Sequence, residues 1–166
     1  MLIYLYMVYV KLNNTICGVF VNYSSKQIVW QEVPGEVSLA YTISGCPLRC
    51  PGCHSADTWP LGAGEQLHVQ EFKAQLRQYS GLITCVLFLG GEWHEQRLLE
   101  LLEIAQNQGL NTCLYTGQET VSDALKARLT YLKTGPWVKQ LGGLDSATSN
   151  QRLIDLRTNE CLNRFF

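Results

Sequence analysis

One stretch limits the fold of this chain more than any other: the almost unbroken apolar run LITCVLFL at residues 82–89, closed by Gly90-Gly91. Its length and its bounding glycines favour a strand buried on both faces, as in a parallel sheet. Residues 92–108 then read as an amphipathic helix. Leu98, Leu101, Leu102 and Ala105 share one side, Glu95, Arg97, Glu100 and Glu103 lie mostly on the other, and Gly109 is a stop. A buried strand feeding a helix is half of a βαβ unit, and the remaining elements must be compatible with it.

They are. Residues 37–44, 112–115 and 152–156 read as strands, and residues 67–79 and 119–129 as helices, the first with Leu67, Phe72, Leu76 and Tyr79 on one face. Residues 16–30 read as a hairpin interrupted by Asn-Tyr-Ser-Ser; Pro34-Gly35 is a turn, and residues 62–64 and 138–149 are loops. Strand and helix in alternation predict an α/β fold with a mainly parallel sheet. In such folds ligands bind at the carboxyl ends of the strands. Cys46 to Cys53, Gly90-Gly91-Glu92 and Thr116-Gly117 all follow predicted strands, so all three belong on one rim.

The 166 residues suit one domain, with no repeat and no linker; 46% are hydrophobic and 16% charged, a globular composition. The net charge of −1, with basic residues scattered, gives no reason to expect nucleic acid or an anionic membrane as partner. Residues 1–10 are apolar and β-prone but too few to span a bilayer, which needs about 20. No basic residue precedes them and no cleavage site follows, so an N-terminal strand or a start-site extension is expected, in a cytoplasmic protein.

Seven cysteines occur: Cys17, Cys46, Cys50, Cys53, Cys85, Cys113 and Cys161. Cys85 and Cys113 lie in apolar runs, where a thiol is a small buried hydrophobe, and Cys17 and Cys161 stand alone. Without a secretion signal a disulfide framework is not expected. The other three form Cys46-x3-Cys50-x2-Cys53, with Gly45 and Gly52 letting the backbone turn closely. Three thiolates can hold three corners of a cubane [4Fe–4S] cluster, leaving one iron open to bind a substrate. Four other readings compete. Structural zinc wants four ligands, and His54 directly after Cys53 is awkward for the same ion. Cys50-Pro-Gly-Cys53-His54 also matches c-type haem attachment, Cys50-x-x-Cys53 a redox pair, and three unrelated thiols remain the plainest option.

The string CPLRCPGCHSADTW, following a strand, resembles the radical S-adenosylmethionine superfamily and within it the activating enzymes of glycyl-radical proteins. Their Cys-His-x-x-x-Thr-Trp pattern is matched by Cys53, His54, Thr58 and Trp59. The short length and single cysteine cluster look most like the activases of the anaerobic (class III) ribonucleotide reductase. The resemblance covers roughly residues 37–157. It implies a small incomplete (β/α) barrel formed by one domain over residues 1–166, with residues 1–36 as an N-terminal strand and hairpin extension.

The resemblance also implies a chemistry. Cys46, Cys50 and Cys53 would hold the cluster, and S-adenosylmethionine would sit on its open iron. Reductive cleavage would give a 5′-deoxyadenosyl radical that takes a hydrogen atom from a glycine of a partner, the anaerobic ribonucleotide reductase. An electron donor such as flavodoxin or ferredoxin would be needed. Gly90, Gly91 and Glu92 would hold the cofactor's amino group, and the backbone around Gly52, Cys53 and His54 would lie against it. Alone, Gly-Gly-Glu also reads as a strand-to-helix turn with a dipole-favoured acid. His54 also reads as a loop-packing residue, and Thr116, where the family's third strand ends, also reads as a plain turn. Three departures stand out: Leu89 for the usual Ser, Trp93 for the usual Pro, and Gly52 where the broader superfamily has an aromatic and the reductase activases share the glycine. His68 and His94 read as solvent-facing, and Trp59, Trp93 and Trp137 as packing residues. A zinc-binding interaction module, or a radical enzyme acting on another protein or a small substrate, is the alternative.

Overall fold

The computed structural model describes residues 20–166. The strand expected at residues 1–10, Cys17, and the start of the hairpin expected at 16–30 lie outside the described residues. The strands are β1 (Asn22–Val29), β2 (Ser38–Ile43), β3 (Glu65–Gln66), β4 (Cys85–Leu89), β5 (Asn111–Tyr115), β6 (Tyr131–Thr134), β7 (Arg152–Asp155) and β8 (Glu160–Cys161). The helices are α1 (Val69–Gln78), α2 (Glu95–Gln106) and α3 (Asp123–Lys126). All described strands join one sheet in the order β3-β1-β2-β4-β5-β6-β7-β8.

The apolar run explains the centre of this sheet. Cys85, Val86, Leu87 and Phe88 are each fully buried because β4 is covered on both faces. Val86 and Phe88 pack under the helices with Leu102, Leu114 and Phe72, while Cys85 and Leu87 pack on the opposite face with Cys113, Tyr131 and Leu153. Helices α1 and α2 contribute Phe72 and Leu76, and Leu98, Leu101, Leu102 and Ala105, the apolar stripes read from the sequence. Strands β2, β4, β5 and β6 run parallel, with Thr42 opposite Leu89, Leu89 opposite Tyr115 and Tyr115 opposite Lys133. This register brings their carboxyl ends to one edge.

The expected mainly parallel sheet is corrected at both flanks. β3–β1, β1–β2, β6–β7 and β7–β8 are antiparallel, so antiparallel pairings outnumber parallel ones. Among the described residues no pairing joins β3 to β8, and the sheet is an open row. Asn-Tyr-Ser-Ser does not turn: it lies inside β1, with a register shift between Tyr23 and Ser25 and a Ser25 Oγ to Thr42 Oγ1 hydrogen bond of 2.8 Å across the pair. The run at residues 82–89 enters the sheet only at Cys85. The Leu82 and Ile83 amides bond back to the Tyr79 carbonyl at 2.9 and 3.2 Å, completing the exit from α1.

The helix expected at 119–129 shrinks to one turn, capped where Ser122 Oγ accepts from the Leu125 amide at 3.2 Å. The chain then returns to the sheet as β6, because the Thr130 amide donates to the Thr112 carbonyl at 2.9 Å. No helix among the described residues is long and apolar enough to cross a membrane.

Candidate functional site

Four parallel strands end on one edge, and the loops that leave them enclose a cavity of about 200 Å³. The loop after β2 starts from two backbone anchors. The Ser44 amide donates to Asn22 O at 2.9 Å, and the Gly45 amide to Thr58 O at 2.7 Å. The second bond closes the loop on itself. Thr58 is buried, and its hydroxyl donates to Ser55 O at 2.8 Å, holding the short helical turn Ala56–Thr58 that ends the cysteine motif. Inside the loop the Cys53 amide donates to Cys50 O at 3.1 Å, and the Ser55 amide approaches Cys53 Sγ at 3.4 Å.

Cys46, Cys50 and Cys53 are half-buried free thiols, and all three line the cavity. Among the described residues, no group of three or more His, Cys, Asp and Glu side chains is close enough to hold a metal ion as it stands. The thiols ring one pocket instead of meeting at a point. Burial pushes the Cys46 thiol up from its ordinary value, and the nearby Glu92 and Cys50 charges push the same way.

The opposite wall is built from the sheet. The Gly90 amide donates to Tyr115 O at 2.8 Å, and the Thr116 amide to Lys133 O at 2.8 Å, so the strand ends are locked to one another. Gly90 has φ +84°, and a Cβ on it would stand 2.5 Å from the Trp93 ring, which only glycine accommodates. Glu92, 7% exposed, opens a short helical turn that runs into α2. Thr116 Oγ1 donates to Glu92 Oε1 at 2.6 Å, while Glu92 Oε2 is buried without a partner. Burial raises the Glu92 carboxyl, and the Thr116 hydrogen bond opposes part of that rise. A half-satisfied buried carboxylate facing a pocket is set to accept from a donor on a ligand.

The cavity therefore gathers Cys46, Cys50, Cys53, Gly90, Glu92 and Thr116. It does not gather the other expected residues. Gly52 and His54 are exposed and do not line the cavity, although His54 packs 4.9 Å from the ring of Trp137, which does. Gly91 is buried behind the rim against Ile43.

Four lining residues were not read as site residues from the sequence. Lys133, 9% exposed, comes from β6, a strand the periodicity did not reveal. Its Nζ donates to Gly135 O at 3.2 Å, and burial lowers its pKa to about 8 against the opposing pull of Cys50 and Cys53. Trp59, Trp93 and Trp137, read as packing residues, all line the cavity, and each indole nitrogen is buried with no acceptor. The place of Trp59 at the end of the Cys53, His54, Thr58, Trp59 pattern was the one signal available; Lys133, Trp93 and Trp137 offered none.

A second cavity of about 370 Å³ adjoins the first and shares Tyr115, Lys133 and Gln151 with it. Three thiols, one free carboxylate oxygen and unpaired donors fit an iron–sulfur cluster carrying a ligand with an amino group.

Comparison with known proteins agrees with this donor set. The sequence model of the family described as "4Fe-4S single cluster domain" matches residues 33–138, more than half of the chain. The pyruvate formate-lyase-activating enzyme of Clostridium pasteurianum is 32% identical over 89 residues, covering 50% of this chain and 37% of that enzyme. The 7-carboxy-7-deazaguanine synthase of Hyperthermus butylicus is 36% identical over 84 residues, covering 49% of this chain and 35% of the synthase. The chain thus spans little more than a third of the curated relatives it matches. These matches support the radical S-adenosylmethionine superfamily that the cysteine string resembles.

Proposed function

The chain belongs to the 4Fe–4S single-cluster domain family, and on that premise we propose that it is a radical S-adenosylmethionine activase that places a glycyl radical on a partner enzyme. The observation that carries the reading is one cavity uniting the three motif cysteines with Gly90, Glu92 and Thr116. Cys46, Cys50 and Cys53 hold a [4Fe–4S] cluster as thiolates. When bound and reduced, the group these thiolates would hold would supply the single electron for reductive cleavage of S-adenosylmethionine, the chemistry that would lead to hydrogen-atom abstraction from the partner's glycine.

The chain's own residues position and shield this chemistry. Glu92 Oε2, unpaired and buried, accepts from the cofactor's amino group, and Thr116 fixes the carboxylate by holding Oε1. Gly91 sets the turn that aims Glu92, and the backbone of Gly52, Cys53 and His54 covers the cysteine side. Lys133, in an almost dry position, supplies a positive charge beside thiolates whose own charge favours it. The protein's role is orientation and exclusion of water.

The adjoining cavity supports a macromolecular hydrogen donor, because it continues the first through the shared Tyr115, Lys133 and Gln151. Leu48 and Leu61, exposed beside the cysteine loop, give this edge an apolar rim. The partner is an anaerobic ribonucleotide reductase, the electron donor a flavodoxin or ferredoxin, and the domain an incomplete barrel open on this edge. The test is electron paramagnetic resonance of the reductase after anaerobic incubation with the reconstituted protein, reductant and S-adenosylmethionine. A glycyl-radical doublet is expected; cofactor cleavage without the doublet would remove the partner assignment. The match to a deazaguanine synthase favours a second reading, a radical enzyme with a small-molecule substrate. That reading predicts cofactor cleavage coupled to such a substrate and no radical on the reductase.

A further inference from the structure

The chain has four tryptophans. Trp30 is 69% exposed, but Trp59, Trp93 and Trp137 all line the cysteine cavity, and each buries an indole nitrogen with no hydrogen-bond acceptor. An indole N–H can only donate, and a buried donor left unpaired is costly. Native structures rarely keep such groups unless an unseen partner satisfies them. Three on the wall of one cavity call for a ligand rich in acceptors. The sulfurs of an iron–sulfur cluster are such acceptors, and hydrogen bonds to them set its potential.

The three indoles are placed differently. Trp93 lays its six-membered ring over Gly90, and Trp59 closes the turn Ala56–Thr58. Trp137 reaches the cysteine loop from the segment after β6. Its Nε1 lies 3.7 Å from where a Cβ on Gly52 would stand, and its ring centre is 4.9 Å from that of His54. The indole nitrogen therefore sits over the residue directly before Cys53. Gly52 leaves this space open, and a ring from a distant segment fills it.

We propose that Trp137 donates its indole N–H to a sulfur of the cluster at the corner held by Cys53, raising the cluster's reduction potential. This rests on the cluster reading above. The sign follows from charge: a donor stabilises the more electron-rich reduced state more than the oxidised state.

The test is the midpoint potential of anaerobically reconstituted protein, measured by spectroscopic titration on wild type, Trp137→Phe and Trp30→Phe. Trp137→Phe keeps a ring and removes the donor. It is expected to retain full iron and sulfide content while its one-electron reduction equilibrium shifts about tenfold towards the oxidised form, about 59 mV. Trp30→Phe is expected to match wild type. An unchanged potential in a fully loaded Trp137→Phe protein would overturn the inference and leave the proposed function standing. Absence of a cluster in wild type would overturn both. Should Trp137→Phe fail to load, electron–nuclear double resonance on reduced wild type with indole-¹⁵N tryptophan decides. A ¹⁵N coupling with an exchangeable proton that persists in Trp59→Phe and Trp93→Phe proteins supports the inference, and no coupling, or one lost in either of those variants, overturns it.

Discussion

The two walls of the cavity are built in opposite ways. The cysteine wall is a loop with one backbone bond to the sheet, from Ser44, and one closing it on itself, from Gly45 to Thr58, with Pro47, Leu48 and Arg49 exposed between the first two thiols. The sheet wall is continuous with the core: Gly90, Glu92 and Thr116 follow strands whose backbones bond to one another across the rim. The difference separates two tasks. The sheet holds its carboxylate in place before any ligand arrives, and a metal cluster would tie the loop's three thiols to one another.

Removing a thiol breaks the comparison most sharply. Cys50→Ala is expected to abolish cluster iron and sulfide while changing the apo protein's stability by no more than about 0.5 kcal/mol, since Cys50 is only half-buried and lies outside both core clusters. Metal analysis beside a urea melt reads both; a large loss of apo stability would contradict the contrast. Next in size, Glu92→Gln should weaken S-adenosylmethionine binding to the loaded protein about 10- to 100-fold, the worth of a hydrogen bond to a charged group.

The same residue carries a pH signature. Burial raises the Glu92 carboxyl, so its contribution to apo stability is fully present at low pH and is lost as pH rises through its folded-state pKa. Glu92→Gln should flatten that decline in melts across the acid range. Cofactor affinity in wild type should run the other way and strengthen as the carboxylate ionises.

Two glycines give a smaller and paired test. Gly90→Ala meets both a left-handed φ of +84° and the Trp93 ring at 2.5 Å, and should cost about 2–3 kcal/mol of apo stability. Gly52→Ala has a similar φ of +72° but nothing nearer than 3.7 Å, and should cost about 1 kcal/mol. Equal losses in denaturant melts would mean that the two walls are equally packed.

A second pH signature belongs to Lys133. Its pKa is lowered to about 8 by burial, so the unfolded chain binds more protons than the folded one between that value and the ordinary lysine value near 10.4. Apo stability from this group should therefore rise with pH across that window, and Lys133→Met should remove the slope.

What the sequence reveals divides along similar lines. Residues 82–89 betray the central strand because burial on both faces leaves almost no polar position, and the three cysteines stand out because their crowding serves no packing purpose. Gly90-Gly91-Glu92 could be placed on the same rim from strand order alone. Strand β6 could not. Its residues Tyr131 to Thr134 mix apolar and charged side chains, and the strand is set by long-range bonds from Thr130 to Thr112 and from Thr116 to Lys133. The antiparallel flank β7–β8 is too short to show a period. Trp137 and Lys133 were illegible for the same reason: they reach the cavity through tertiary placement, far in sequence from the cysteines they face.

The central claim is that these two walls hold one cluster and one cofactor for reductive cleavage. Anaerobic reconstitution with iron and sulfide, reduction, and assay of 5′-deoxyadenosine tests it most directly, with Cys50→Ala alongside. The account predicts a four-iron cluster and 5′-deoxyadenosine that requires S-adenosylmethionine and reductant, with neither in Cys50→Ala. A colourless protein that binds stoichiometric zinc under the same conditions, or a fully loaded cluster that never cleaves the cofactor, would contradict it.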